Sequence, residues 1–117
     1  GNYADKNSTY DWADKAHNDG FVKYAPVGSY RPNAWGLHDM HGNVSEACAN
    51  VCMSPYDDRK ARSRTPMEGG RAVRGGSHYE LADHCRIEHR YGVDPAKVYS
   101  NYGFRIVAEA RPVPRRP

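Results

Sequence analysis

The sequence predicts a small, loop-rich domain with a few short strands and little regular helix. Glycine and proline are frequent, with 11 and 8 among 117 residues, and both residue types favour turns over long elements. No segment repeats apolar residues at the spacing of three and four that a long amphipathic helix requires. The mean hydropathy of -0.92 indicates a thin apolar core. Such a domain needs a disulfide, a metal or a partner surface to hold it together.

Short apolar runs predict the regular elements. Residues 71–77 and 101–107 are predicted strands, and residues 23–30 and 85–91 are weaker strand candidates. Residues 44–51 fit either a strand or a helical turn, because their periodicity does not decide. Residues 10–15 fit one short helix with Trp12 facing inward. The predicted loops and tail are residues 2–21, residues 54–70 and the Pro/Arg-rich residues 111–117.

Charge and cysteine content exclude some classes of function. The net charge of +3 comes from basic residues grouped at 59–64 and 111–116. Solvated loop and tail charge is therefore favoured over nucleic-acid binding. No run approaches the ~20 apolar residues of a membrane-spanning helix. The three cysteines, Cys48, Cys52 and Cys85, allow at most one internal disulfide and do not fix the redox compartment. A secreted or periplasmic location is slightly favoured.

Two stretches combine the oxygen donors that calcium prefers, which are carboxylates, amide oxygens and backbone carbonyls. In the first, Asp39 and Glu46 flank a turn that contains Gly42. In the second, Asn2 and Tyr3 are paired with the later residues 18–21. Taken alone, these patterns also fit ordinary turns, since Asp and Asn beside Gly are common turn residues.

Four blocks of sequence resemble the formylglycine-generating-enzyme family, also called the sulfatase-modifying factors. They are Asn33 to Glu46 (NAWGLHDMHGNVSE), Arg74 to Ser77 (RGGS), Cys85-Arg86 with Arg90, and Gly103-Phe104-Arg105. The resemblance implies an α+β, loop-rich fold related to the C-type-lectin-like fold, with short strands and little regular structure.

The resemblance also implies structural calcium (Ca2+). One set of ligands would be Asn2, the Tyr3 carbonyl, Asp19 and the Phe21 carbonyl. The other would be Asp39, the Gly42 carbonyl, the Val44 carbonyl and Glu46, and this is the safer of the two sets. Both sets fall on the stretches that the oxygen-donor pattern selects.

The oxidase chemistry of the family is expected to be absent. By resemblance, two cysteines five residues apart after the RGGS block hold copper, because soft thiolates suit Cu(I). Cys85 matches the second cysteine, whereas the first falls on Glu80. The candidate catalytic residues are therefore Cys85, Ser77 and Glu80. The histidines His78, His84 and His89 fit either another metal site or, more simply, ordinary loop positions. Cys48 and Cys52 are expected to be structural.

The resemblance indicates that residues 1–110 are the C-terminal half of such a domain, followed by a tail at 111–117. The expected partner is the N-terminal half of the same domain or another chain.

Three functions are compared. The first is a calcium-stabilised binding or structural module. The second is a divergent metal-dependent oxidase or oxygenase, of the formylglycine-generating or sulfoxide-synthase kind, that uses Cys85 and nearby histidines. The third is a lectin-like protein that binds a peptide or small molecule on residues 76–102.

Overall fold

A computed structural model describes residues 1–52 and 70–108 of the chain. Its regular elements are β1 (Ser45–Val51), β2 (Arg71–Arg74), a 3-10 helix (Ala82–Cys85), β3 (Arg90–Val93) and β4 (Tyr102–Gly103). The strands form one sheet in the order β3-β2-β1-β4. Strand β2 pairs antiparallel with β1 and with β3, whereas β4 pairs parallel with β1. The described residues contain no helix long and apolar enough to cross a membrane.

The loop-rich character is confirmed, but the helical part of the predicted α+β class is not. Within residues 1–52 and 70–108 the 3-10 helix is the only helical element, so the predicted helix at 10–15 is wrong. Side chains there bond to the backbone: Ser8 Oγ accepts from Tyr10 N, and Asp14 Oδ1 accepts from Ala16 N at 2.9 Å. Such local bonds compete with helix formation. Trp12 is 47% exposed rather than buried.

The predicted strands have mixed outcomes. Residues 44–51 contain β1, and residues 71–77 contain β2 followed by a bend at Gly75 and Gly76. The candidate at 85–91 is mostly wrong, because a 3-10 turn precedes β3, and the strand at 101–107 shortens to β4. The candidate at 23–30 is also wrong. The backbone N–H groups of Ala25 and Gly28 donate to the side chains of Asn43 and Asp39 instead of to a neighbouring strand. The predicted tail and most of the predicted loop at 54–70 lie outside the described residues.

The buried interior is small and largely polar. Val73, in the inner strand β2, is fully buried, but the other large side chains that are fully buried are polar: Asn2, Asp5, Ser45 and Ser77. The remaining buried hydrophobic residues are alanines and cysteines. A buried polar group is favourable only when it has hydrogen-bond partners. The described part of the chain therefore depends on a specific hydrogen-bond network more than on apolar packing.

Asn43 lies at the centre of that network. Its side-chain Oδ1 accepts from Ala25 N at 2.9 Å and from Asn2 Nδ2 at 3.3 Å, and its Nδ2 donates to the Ala25 carbonyl at 3.2 Å. Its backbone N donates to the Asn2 carbonyl, and its carbonyl accepts from His78 N. Asn43 thus joins the N-terminal loop, the segment around residue 25 and the segment after β2. Its φ of 69° lies in the left-handed region, which Asn tolerates better than most residues.

Gly42 allows this close approach. A Cβ at position 42 would lie 2.0 Å from the Asn2 carbonyl oxygen, and the Gly42 φ is 91°. Its backbone N donates to the Gly75 carbonyl at 2.7 Å. Only glycine fits both the conformation and the contact. The N-terminal loop is fixed a second time where Ala4 N donates to the Glu80 carbonyl at 2.9 Å.

We expect Asn43→Ala to lower the free energy of unfolding by about 3 kcal/mol or more. The change leaves the buried backbone N and carbonyl of Ala25 without their side-chain partners, at ~1–3 kcal/mol each, and places alanine in the left-handed region. Urea denaturation of the full chain measures the change. Asn50→Ala is the matched control, because Asn50 is exposed on β1. Equal stability of the two variants would contradict the central role of Asn43.

Candidate functional site

The first predicted calcium set has two oxygen atoms without partners. Asn2 is fully buried, and its Nδ2 donates to the Lys23 carbonyl at 2.5 Å. The Oδ1 of Asn2 is buried and accepts no hydrogen bond from the described residues. Asp19 Oδ1 accepts from Phe21 N at 2.9 Å, while its buried Oδ2 also lacks a described partner. Buried acceptors of this kind are costly unless a cation or a donor satisfies them. The donor chemistry of this set therefore fits an oxygen-bound ion.

Asp19 has acidic neighbours. Asp5, which is 1% exposed, accepts from Asp19 N through Oδ2 at 2.5 Å. Burial raises the pKa of Asp19, and the charge of Asp5 raises it further. The Tyr30 hydroxyl is buried without a described partner. Burial and the charges of Asp19, Asp39 and Asp5 raise the pKa of Tyr30 to about 12. A bound cation would relieve the repulsion among these groups.

The second predicted calcium set has its carboxylates bonded elsewhere. The Asp39 carboxylate accepts from Gly28 N at 2.6 Å and from Tyr30 N at 3.4 Å. Glu46 forms a bidentate ion pair with Arg105. Arg105 Nε donates to Glu46 Oε2 at 2.6 Å, and a second guanidinium nitrogen donates to Oε1. The ligand set Asp39, Gly42, Val44 and Glu46 stays a prediction, and of the two sets it presents fewer free oxygen atoms. Among the described residues no three His, Cys, Asp or Glu side chains converge on one point.

The three candidate catalytic residues lie together. Glu80 is 8% exposed, and its Oε2 accepts from Ser77 Oγ at 3.2 Å and from Ser45 Oγ at 3.1 Å. Cys85, at the end of the 3-10 helix, is buried against Gly76, where a Cβ would lie 2.6 Å from the Cys85 Sγ. Because Gly76 has a φ of 71°, the bend after β2 can carry Ser77 towards Glu80 while making room for the thiol.

The environment of Cys85 keeps its thiol protonated. Burial, followed by the charge of Glu80, raises the pKa of Cys85 from 9.0 to about 12. The thiolate fraction at neutral pH therefore falls about a thousandfold. His41 Nδ1 lies 2.6 Å from the Cys85 carbonyl oxygen, so this histidine contacts the backbone of Cys85. A protonated thiol is a poor nucleophile and a poor metal ligand.

The three histidines occupy two different environments. His78, expected in an ordinary loop position, is buried, and both its backbone N and its Nδ1 lie 3.0 Å from the Asn43 carbonyl. His84 and His89 stack with ring centroids 4.5 Å apart, and the Nδ1 of each is buried without a described partner. Burial and the neighbouring His84 lower the pKa of His89. His84 Nδ1 also lies 3.8 Å from Glu80 Oε1.

A cleft of about 260 Å³ opens over Glu80. Its lining residues are Trp12, Tyr79, Glu80, Leu81, His84, Asn101 and Tyr102. Asn101 Nδ2 donates to Ser77 Oγ at 3.1 Å, and the Tyr91 hydroxyl donates to Ser45 Oγ at 3.1 Å. Sequence reasoning missed Ser45, Asn101 and Tyr91 here, because their partners are distant in the chain and no spacing marks them.

The chain belongs to the sulfatase-modifying factor enzyme 1-like domain family, whose model matches residues 2–110. It is 38% identical over 84 residues to the serine/threonine-protein kinase pkn1 of Chlamydia pneumoniae, covering 68% of this chain and 14% of that protein. It is 35% identical to the formylglycine-generating enzyme of Streptomyces coelicolor, covering 79% and 31%. It is 32% identical to the inactive C-alpha-formylglycine-generating enzyme 2 of Mus musculus, covering 94% and 36%. The chain thus spans 14% to 36% of the length of these relatives.

A solved structure agrees with this assignment. The chain is similar to Treponema denticola variable protein 1, with a TM-score of 0.58 and 30% identity, over 70% of this chain and 31% of that one. The family indicated by the sequence motifs is therefore confirmed.

We expect iodoacetamide at pH 8 to modify Cys85 at least about a hundredfold more slowly in the folded chain than in urea. Unfolding removes the burial and the Glu80 charge that raise the pKa of this thiol, and the thiolate is the reactive form. Pulsed alkylation followed by peptide mass spectrometry gives the rate at each cysteine. Cys48, which is partly exposed, should change less. A similar rate for Cys85 in both states would show an accessible, reactive thiol.

Proposed function

We propose that this chain is a calcium-stabilised, non-oxidising module of the sulfatase-modifying factor fold that works by binding. The observation that carries the proposal is the buried carboxylate of Glu80, which accepts two serine hydroxyls at the position where the family resemblance places a copper-binding thiol. A carboxylate is a hard oxygen ligand, whereas Cu(I) prefers soft thiolates. The remaining thiol, Cys85, is held protonated by burial.

The comparisons support a module without the oxidase activity. One relative is named as an inactive formylglycine-generating enzyme, so proteins with this domain include one described as lacking the activity. Another is named as a protein kinase, and the match covers 14% of it. Domains of this kind therefore occur as parts of larger proteins whose names describe different activities.

A calcium ion would satisfy the buried oxygen atoms of the N-terminal loop that have no described hydrogen-bond partner. Asn2 Oδ1 and Asp19 Oδ2 are the free side-chain oxygens, and the carbonyls of Tyr3 and Phe21 would complete the set by resemblance. Bound there, the ion would hold irregular backbone that has few hydrogen bonds to a sheet. It would also offset the repulsion between Asp5 and Asp19.

We expect chelation of calcium to lower the melting temperature of the full chain. An ion that binds only the folded state stabilises it by ~2.7 kcal/mol at a hundredfold excess over Kd. Asp19→Asn should abolish the response to calcium, because it removes the charge of a free ligand oxygen. Asp11→Asn, on an exposed residue of the same loop, should leave the response intact. Element analysis should find calcium in the purified chain.

Three outcomes of this experiment would contradict the proposal. An unchanged melting curve on chelation would remove the calcium assignment. Loss of the response in Glu46→Gln but not in Asp19→Asn would move the ion to the Asp39–Glu46 turn. Stoichiometric copper or iron that disappears in Cys85→Ala would favour the divergent oxidase over a binding module.

A further protein surface would complete the module, and the N-terminal half of the same domain is the partner that the family resemblance implies. Large apolar side chains that follow β4 are solvent-exposed: Phe104 at 76%, Ile106 at 85% and Val107 at 82%. Trp35 is also 81% exposed. Large apolar side chains left exposed are typical of a surface that a protein partner covers.

We expect the folded chain to bind an apolar fluorescent dye and Ile106→Ser to reduce that binding. Because Ile106 is exposed here, the substitution should leave stability within about 0.5 kcal/mol. In the longer protein, where the partner surface covers Ile106, the same change should destabilise by about 1–3 kcal/mol. Dye fluorescence and thermal melting of both proteins give the comparison. No dye binding, or no difference between the two proteins, would contradict a covered surface.

A second candidate function is ligand binding of the lectin-like kind on residues 76–102. One observation favours it. Apart from Trp12, every residue that lines the cleft over Glu80 comes from this segment.

A further inference from the structure

We propose that the cleft over Glu80 binds a small organic cation with N–H donors, namely an ammonium or guanidinium group. The inference rests on the binding role proposed above and names its ligand class. It depends on three features of the cleft, which are a buried carboxylate at its base, aromatic rings in its walls and a nearby amide.

The carboxylate of Glu80 is a buried charge with incomplete compensation. Its Oε2 accepts from two serine hydroxyls, but among the residues that the structure describes the only basic group within 4.0 Å is His84, whose Nδ1 is 3.8 Å from Oε1. That distance exceeds a hydrogen bond. A buried carboxylate is strongly favoured when a cation pairs with it and donates hydrogen bonds. Glu80 faces the cleft, so a ligand can supply that cation.

Aromatic rings form the outer part of the cleft. Trp12 is 47% exposed and Tyr79 is 44% exposed. Their ring centroids lie 6.1 Å apart, with planes at 81°. Tyr10 stacks on Trp12 at 4.9 Å and holds it in place. A cation that lies over an aromatic ring is attracted to the electron-rich face of that ring. Tyr10 covers one face of Trp12, but the partial exposure of Trp12 and Tyr79 leaves ring surface that a ligand cation can contact.

The polar groups select a cation that donates hydrogen bonds. Asn101 lines the cleft, and its Nδ2 donates one hydrogen bond to Ser77 Oγ, which leaves its Oδ1 as an acceptor that this bond does not use. Glu80 offers another. An ammonium or guanidinium group has several N–H donors, whereas a quaternary ammonium has none. The volume of about 260 Å³ is below the ~300–1,000 Å³ range of drug-sized sites, which suits one such group with a short alkyl stem.

This chemistry has two sources, a free small amine or the Lys or Arg side chain of a peptide. Isothermal titration of the full, calcium-loaded chain with butylamine, butylguanidine and butanol tests the cation. Capped Gly-Lys-Gly and Gly-Arg-Gly peptides test the second source. We expect both cations to bind and butanol to bind at least tenfold more weakly. Tighter binding of the peptides than of the free cations would identify a side chain as the natural ligand.

Substitutions locate the site. We expect Glu80→Gln to weaken cation binding at least tenfold, because glutamine keeps an acceptor for the serines but removes the charge. Trp12→Ala, at a half-exposed position, should weaken it several-fold without unfolding the chain. Glu88→Gln is the matched control, since the Glu88 side chain is 58% exposed and pairs with Arg86. Binding unchanged in both Glu80→Gln and Trp12→Ala, equal binding of butanol, or no binding at all would overturn the proposal.

The calcium response separates this inference from the function on which it rests. A chain that responds to chelation but does not bind the cations overturns the ligand class alone. A chain that shows neither response overturns the calcium-stabilised module as well.

Discussion

The fold depends on the buried side chain and backbone of Asn43. This one residue bonds to the N-terminal loop at Asn2, to Ala25 and to His78, so three segments without regular structure are fixed to the start of β1. The arrangement is possible because Gly42 has no Cβ to meet the backbone of Asn2. The positions of Ser77 and Glu80 follow from it, because His78 is held by the Asn43 carbonyl.

A polar interior of this kind has a consequence for the N-terminal loop. Hydrogen bonds are directional, so a network satisfies its members only if each donor finds its acceptor. In the N-terminal loop the described residues provide no hydrogen-bond donor to the buried Asn2 Oδ1 and Asp19 Oδ2. Calcium tolerates irregular oxygen coordination better than magnesium does, which suits the irregular loop in the module proposed above. In that module a partner surface would also cover the apolar side chains that are exposed after β4.

The sequence selected Ser77, Glu80 and Cys85, which lie together in the structure, but not the residues that hold them. Strand β2 follows from a local pattern, since Arg71–Arg74 contains the strand former Val73 and is bounded by glycine on both sides. The pattern of residues 44–51 did not decide between β1 and a helical turn. The helix at 10–15 failed because Ser8 and Asp14 accept local hydrogen bonds from the backbone two residues later, and these bonds compete with the helical ones. Asn101, Ser45 and Tyr91 were missed for a different reason. Their partners are 24 to 46 residues away, and no local spacing indicates such contacts.

The residue at position 80 determines the chemistry of this site. The bend at Gly75 and Gly76, the 3-10 helix and the contact of Cys85 with Gly76 fix the backbone around it. A thiol at position 80 would pair with Cys85 as a soft ligand. The carboxylate instead raises the pKa of Cys85 through its charge and turns two serines towards itself. The same geometry then presents negative charge to the cleft, which favours the recognition of a cation over the binding of a soft metal.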